Sequence, residues 1–244
     1  MSIWKKRRVI CVQTDFHSHI LPGIDDGSKS VRMSIAMLRR LAAQGITRVV
    51  ATPHFYAHQN SPEKFFARRD AAESTLRQAM AQVSGLPEVI VGAEVCYFPG
   101  MSGTDLLPAL TIGSTSYILV EMPHGPWTQG MYRELENIRN RHGLMPIIAH
   151  VDRYIKPLQQ YGIPDRLYDM EMVVQANAGF FMDWRTRRLA VKMLENDRIH
   201  LLGSDCHDMS DRPPYLAGAM DTIRQKLGEE ALHRIADYES YILG

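Results

Sequence analysis

The chain has 244 residues, 45% hydrophobic and 23% charged, with a net charge of +1. That length suits one domain with a sizeable core, and the near-neutral balance excludes a broad basic surface for nucleic acid or an anionic membrane. Three scattered cysteines, Cys11, Cys96 and Cys206, exclude a disulfide framework, and no apolar run reaches the roughly 20 residues of a bilayer span. Val9 to Phe16 is too short and too polar for a signal-peptide core, so a reducing cytoplasm is expected. The basic run Lys5-Lys6-Arg7-Arg8 reads as part of a solvated tail. Residues 1–13 are therefore expected to form that tail and the start of the first strand, and 14–244 the domain.

Short β-rich runs alternate with helical patterns, the mark of βα units on a parallel sheet. Val9 to Phe16 is a first strand; Ser30 caps a helix over Val31 to Gln44, which stops at Gly45. Ile46 to Thr52 is a second strand, and Ser61-Pro62-Glu63 opens a long helix. Glu88 to Val95 and Tyr117 to Met122 follow as strands, then a helix over Met131 to His142 ending at Gly143. Met145 to His150, Met172 to Ala178 and Ile199 to Gly203 complete seven strands. A helix from about Trp184 to Asn196 separates the last two, and helices near Leu216 to Leu227 and Glu229 to Tyr238 close the chain. The expected fold is a single-domain α/β barrel, closed or distorted, with its chemistry at the C-terminal strand ends.

The residues that end those strands carry the functional signal. The first strand delivers His17 and His19, the second His54, the third Glu94, the fourth Glu121 and the fifth His150. The seventh delivers Asp205 and His207. Strand alternation puts His17 with His19, and Asp205 with His207, on one face, so all eight can converge on one mouth. Imidazole and carboxylate together suit zinc, manganese or iron, and eight donors exceed what one tetrahedral ion uses. Two or three ions held by bridging carboxylates is the arrangement that hydrolyses phosphate esters. A single histidine is more often a cap or a hydrogen-bonding residue; recurrence on six strands outweighs that reading.

Other residues point to no chemistry. His124, His142, His200 and His233 read as structural or surface groups, and Cys206 as a buried structural thiol facing away from its neighbours. There is no Gly-x-Ser-x-Gly elbow and no phosphate-cradling glycine loop followed by lysine.

The block Asp15-Phe16-His17-Ser18-His19-Ile20-Leu21-Pro22-Gly23-Ile24-Asp25-Asp26-Gly27 resembles the start of the bacterial PHP-type protein-tyrosine phosphatases of capsule and exopolysaccharide loci, the CpsB/YwqE group. Thr52-Pro53-His54, Gly92-Ala93-Glu94, Ile118 to Glu121, Ala149 to Tyr154, Gly203 to His207 and Arg212-Pro213-Pro214 match later blocks in order. The chain departs from the group where Val151-Asp152 replaces the usual Pro-Glu, and in starting earlier than is common. The resemblance implies a distorted (β/α)7 barrel of the PHP type and a trinuclear site, usually active with manganese. It implies phosphotyrosine as substrate, on the tail of a partner tyrosine autokinase that controls polysaccharide export. It makes His17, His19, His54, Glu94, Glu121, His150, Asp205 and His207 the ligands, with Arg153 and Arg212 on the phosphate.

The expected reaction is hydrolysis of the monoester by a metal-bridging hydroxide. The arginine forks would bind non-bridging oxygens, and Asp205 or a metal-bound water would serve as general acid. A histidinol phosphate phosphatase, a nuclease or nucleotide phosphoesterase, and a non-catalytic metal-stabilised module are the rival readings. The missing basic stripe opposes the nuclease, and the complete ligand set opposes the inert module.

Overall fold

The computed structural model of the chain describes residues 12–59, 61–154 and 162–244. The basic run, Cys11 and the first residues expected of the first strand lie outside them. Every strand pairing is parallel. A first sheet joins β1 (Thr14–Ser18), β2 (Arg48–Ala51) and β4 (Glu88–Val91). A second joins β3 (His54–Phe55), β5 (Glu94–Cys96), β6 (Tyr117–Glu121), β7 (Met145–Ile148), β8 (Val173–Asn177) and β9 (Leu201–Gly203) in that order. The expected second and third strands are thus each broken in two, at Thr52-Pro53 and at Gly92-Ala93, giving nine strands among the described residues instead of seven. Proline at the first break has no N–H to give the ladder. Beyond the named strands, Asp205 N donates to His17 O at 2.7 Å and His19 N to Cys206 O at 2.9 Å, so the chain after β9 lies against the end of β1. The sheets form a curled, parallel half-barrel.

Phe16, Val50, Leu119, Ile147, Val173 and Leu201, one from each of six strands, pack in a single buried cluster that defines the inside of the curl. Ile242, near the end of the last helix, joins them from the N-terminal end of the strands. The opposite strand faces meet the helices in a second, larger cluster. Strands such as Ile118-Leu119-Val120 are consequently buried on both faces, as a covered parallel sheet requires.

The helices follow their sequence signals closely. In α1 (Val31–Ala42), Met37, Leu38 and Leu41 form the buried stripe and the Ser30 side chain accepts from Met33 N. Burying each of these side chains contributes roughly 1.5–3 kcal/mol, and such a cap about 1 kcal/mol. Ser61 caps α2 (Pro62–Met80), and Gly143, at φ 65°, ends α3 (Gln129–His142). A helix absent from the expectations, α4 (Ile163–Asp169), precedes β8. The helix expected over Trp184 to Asn196 is α6 (Arg187–Glu195), and a short helix absent from the expectations, α5 (Ala178–Met182), precedes it across a break. The break is at Asp183, whose extended backbone and carboxylate, accepting Arg185 N at 2.9 Å, favour a turn over a helix. The chain closes with α7 (Ala217–Leu227) and α8 (Glu229–Leu243), the latter running past the expected end at Tyr238. Among the described residues, no helix is long and apolar enough to cross a membrane.

Candidate metal centre

The inner cluster sets the parity of the site. Counting up by two from Leu119 leads to Glu121 within one strand, and His54 and Asp205 share the parity of Val50 and Leu201 just beyond their strands. His17 and His150 break the count, each through a backbone feature. Between Asp15 and Ser18 the β1–β2 register slips by one residue, a bulge that lets His17 join the mouth although adjacent Phe16 faces the interior. At His150 the backbone turns left-handed, with φ 29°, next to Ala149 of the inner cluster. Asp205 is likewise left-handed, at φ 53°. Such conformations cost on the order of 1–3 kcal/mol and persist where surroundings enforce them, often at functional sites.

All eight side chains read as ligands from the strand ends come together. Three groups of donor atoms each lie within 4.8 Å of one another: His17, His19 and Asp205; His54, Glu94 and Glu121; and His19, Asp26, His54 and His207. The groups share His19 and His54. His150 approaches the second group, its Nε2 lying 2.7 Å from Glu94 Oε1 and 3.4 Å from Glu121 Oε1. Glu94, 1% exposed, is the hub: its Oε2 lies 3.2 Å from His17 Nε2, 3.3 Å from His19 Nε2 and 2.9 Å from His54 Nδ1.

Two residues of the site were not foreseen, Asp25 and Asp26. The loop after His19 folds back, with Ser28 N donating to His19 O, and lays both carboxylates over the imidazoles. Gly27 makes the return possible, because a Cβ there would stand 2.3 Å from His19 O. Asp25 Oδ2 accepts His19 Nδ1 at 2.8 Å and His54 N at 3.1 Å, while Asp26 Oδ1 lies 3.4 Å from both His54 Nε2 and His207 Nε2. The adjacent acids and glycine were visible in the sequence; the fold-back that aims them was not.

The donor set fits cations. His19 Nδ1–H is engaged by Asp25, which leaves a lone pair on Nε2, 3.1 Å from His17 Nε2 and beside two carboxylate oxygens. Glu94 Oε2, His54 Nδ1 and His207 Nε2 are buried without a hydrogen-bond partner, although His54 Nδ1 and Glu94 Oε2 are only 2.9 Å apart. Acceptors converging at such distances are satisfied by positive charge, whether a bound ion or protons on the imidazoles. The titration behaviour agrees. Burial alone would disfavour charge throughout, but His17, His150 and His19 hold the Glu94 carboxyl well below its usual range. His17, His19 and Arg153 do the same for Asp205. Burial likewise opposes protonation of His150, but Glu121 and Glu94 outweigh it and raise the imidazole to about 9.

Arg153 and Arg212 both border this cluster. Arg153, in the turn after His150, places one Nη 2.5 Å from Asp205 Oδ2 and the other 3.6 Å from Glu121. Arg212 reaches Asp205 Oδ1 at 2.7 Å. Its loop is closed by Asp208, which accepts Ser210 N and Asp211 N, and by His207 N donating to Arg212 O. The residues outside the pattern are structural: His142 Nε2 bonds Ser102 O at 3.0 Å, His200 Nδ1 accepts Val174 N at 3.0 Å, and Cys206 is buried, which pushes its thiol well up. His124 stands exposed after β6, its ring 5.9 Å from that of Tyr154.

A parallel half-barrel with a histidine–carboxylate cluster at the strand ends defines an α/β protein with a candidate metal centre. Residues 13–241 match the model of the family described as capsular polysaccharide synthesis, CpsB/CapC, and the chain belongs to that family. The tyrosine-protein phosphatase CpsB of Streptococcus pneumoniae is 29% identical over 224 residues, covering 88% of this chain and 90% of the relative. The tyrosine-protein phosphatase YwqE of Bacillus subtilis is 27% identical over 240 residues, covering 94% and 91%. Among solved structures, the chain superposes with a TM-score of 0.84 and 23% identity on one chain of a structure described as YwqE from Bacillus subtilis and CpsB from Streptococcus pneumoniae, unique metal-dependent tyrosine phosphatases. That superposition covers 94% of each chain. The expected single-domain α/β fold and the expected group are therefore both met, the parallel strands forming a curled half-barrel.

Proposed function

We propose that the chain is a metal-dependent phosphomonoesterase that hydrolyses phosphotyrosine in proteins, with residues 14–244 as its PHP phosphoesterase domain. The observation that carries this reading is the set of three donor groups sharing His19 and His54, bordered by two guanidiniums. Two or three divalent ions, manganese first and iron or zinc next, would be held by His17, His19, His54, Glu94, Glu121, His150, Asp205 and His207, with Asp26 as a further donor. When bound, such ions neutralise a phosphate dianion and supply a nucleophile from water at neutral pH.

The chain's own residues do the rest. The guanidiniums of Arg153 and Arg212 present planar forks at one edge of the cluster, suited to two phosphate oxygens. Asp205 holds both forks in register while they await substrate. Paired with both guanidiniums, Asp205 orients them as it binds. Tyrosinate leaves readily, with a phenol pKa of ~10, so a weak proton donor suffices.

The relatives named as tyrosine-protein phosphatases support the substrate class. We place the reaction in the cytoplasm, on the tyrosine-rich tail of an autokinase that governs polysaccharide export. The test is parallel kinetics with manganese on a tyrosine-phosphorylated peptide, a phosphoserine peptide and histidinol phosphate. The phosphotyrosine peptide should have much the highest kcat/KM. Preference for histidinol phosphate would replace the substrate assignment and leave the metal centre standing.

A further inference from the structure

Six of the seven strand runs deliver a metal-ligand candidate to the mouth; β8 delivers none, yet Val173, Gln175 and Asn177 continue the inward parity of its strand. Gln175 is fully buried, an expensive place for an amide unless every polar atom has work. Its Oε1 lies 2.7 Å from His150 N and 3.2 Å from His17 Nδ1. A backbone N–H can only donate, so the atom facing His150 N must be the amide oxygen, which removes the usual ambiguity of a glutamine's orientation. The oxygen then obliges His17 Nδ1 to carry the proton. His17 Nε2 is left with its lone pair, aimed at Glu94 and Asp205.

The other end of the same amide continues the chain of contacts. Gln175 Nε2 donates to Asn177 Oδ1 at 3.1 Å, and Asn177 Nδ2 donates to Asp205 Oδ2 at 2.9 Å. Asn177 N is itself held by Asp152 Oδ1 at 2.8 Å. Two amides on one strand thus connect His17 and Asp205, donors of the same group, without contributing a ligand. The connection needs room: a Cβ on Gly203 would stand 2.6 Å from His17 Cβ and 2.7 Å from Gln175 Nε2. Only glycine lets β9 pass this close to both.

We propose that Gln175, backed by Asn177, is a positioning residue that fixes the Nδ1–H tautomer of His17 and the rotamer of Asp205, and so sets the affinity of the centre for its ions. The proposal rests on the metal reading above and is independent of the substrate. Partners of this kind orient ligands in many metal sites, and their loss costs roughly 10–100-fold in affinity.

Gln175→Leu removes the acceptor, and Gln175→Glu keeps an oxygen where His17 and His150 N need one. Full-length protein loaded with manganese would be titrated with a competing chelator, and the manganese-induced rise in Tm measured alongside. Gln175→Leu should weaken manganese binding at least about tenfold, and Gln175→Glu should recover most of that loss. At limiting manganese, phosphatase activity of the leucine variant should fall, and it should return at saturating manganese. Wild-type manganese affinity in Gln175→Leu would overturn the proposal. Equal losses in the two variants would also overturn it, since they would reduce Gln175 to packing. Should Gln175→Leu fail to fold, Asn177→Ala carries the test at the rim, and unchanged manganese affinity there would overturn the relay. A protein that binds manganese normally but spares phosphotyrosine would leave this inference intact and remove only the substrate assignment.

Discussion

Two carboxylates sit equally deep at opposite ends of this barrel and behave oppositely. Glu94 and Glu239 are each 1% exposed. At the mouth, Glu94 is ringed by imidazoles and is held ionised. At the base, Glu239 of α8 accepts Gln13 N at 3.0 Å just before β1, with no ion-pair partner among the described residues. Burial pushes its pKa up to about 7, against weaker help for the charged form from Gln13, Thr14 and Arg48. Depth alone therefore does not create a reactive site. The counter-charge around a buried carboxylate decides whether it stays ionised or becomes a neutral latch between the last helix and the start of β1.

Removing the proposed ligands at the mouth is the strongest way to break this contrast. His17→Ala, Glu94→Ala and Asp205→Ala should each lower phosphotyrosine phosphatase activity by more than the roughly 10–100-fold typical of outer partners. Chelator should abolish wild-type activity, with manganese restoring it best. Activity that survives exhaustive chelation would remove the metal centre from the account.

A smaller effect is expected at the edge of the cluster. Arg153→Lys keeps the charge but loses the planar fork that spans Asp205 and Glu121. kcat/KM should fall by about tenfold or more while bound metal per chain stays unchanged. Parallel loss of metal would show that the arginine supports the ligands instead of the phosphate.

The base should respond in stability and not in catalysis. Glu239 binds its proton more tightly when folded, its pKa standing at about 7 against an ordinary value of 4.5. Its contribution is full below pH 4.5 and is lost as pH rises through 7. The upper bound on that loss is on the order of 3 kcal/mol, from 1.36 kcal/mol per unit. Glu239→Gln should flatten this pH dependence and exceed the wild type at pH 8, read as urea midpoints at pH 5 and pH 8 with metal saturating. Identical midpoints for both proteins at both pH values would mean that the latch carries no charge penalty.

The mildest change is expected away from both ends. His142→Ala removes one hydrogen bond to Ser102 O and should lower stability by about 1 kcal/mol, with kcat/KM unchanged. A large activity loss there would blur the boundary drawn around the mouth.

The residues themselves determined a good deal. Caps at Ser30 and Ser61, the stop at Gly143 and the alternating β and helical periods are local signals, legible because they depend on neighbours a few residues away. The recurrence of histidine and carboxylate at strand ends marked eight mouth residues for the same reason, since alternation is a local rule. Tertiary structure decided what that rule does not reach. His17 arrives through a register slip against β2 and His150 through a left-handed backbone, so both reach the mouth against the alternation of their own strands. Asp25 and Asp26 join the site only because their loop folds back over Gly27. Gln175 finds His17 across 158 residues, and Glu239 finds Gln13 across 226. Contacts at such separations depend on how strands curl and which end a helix closes, and no local period in the chain encodes them.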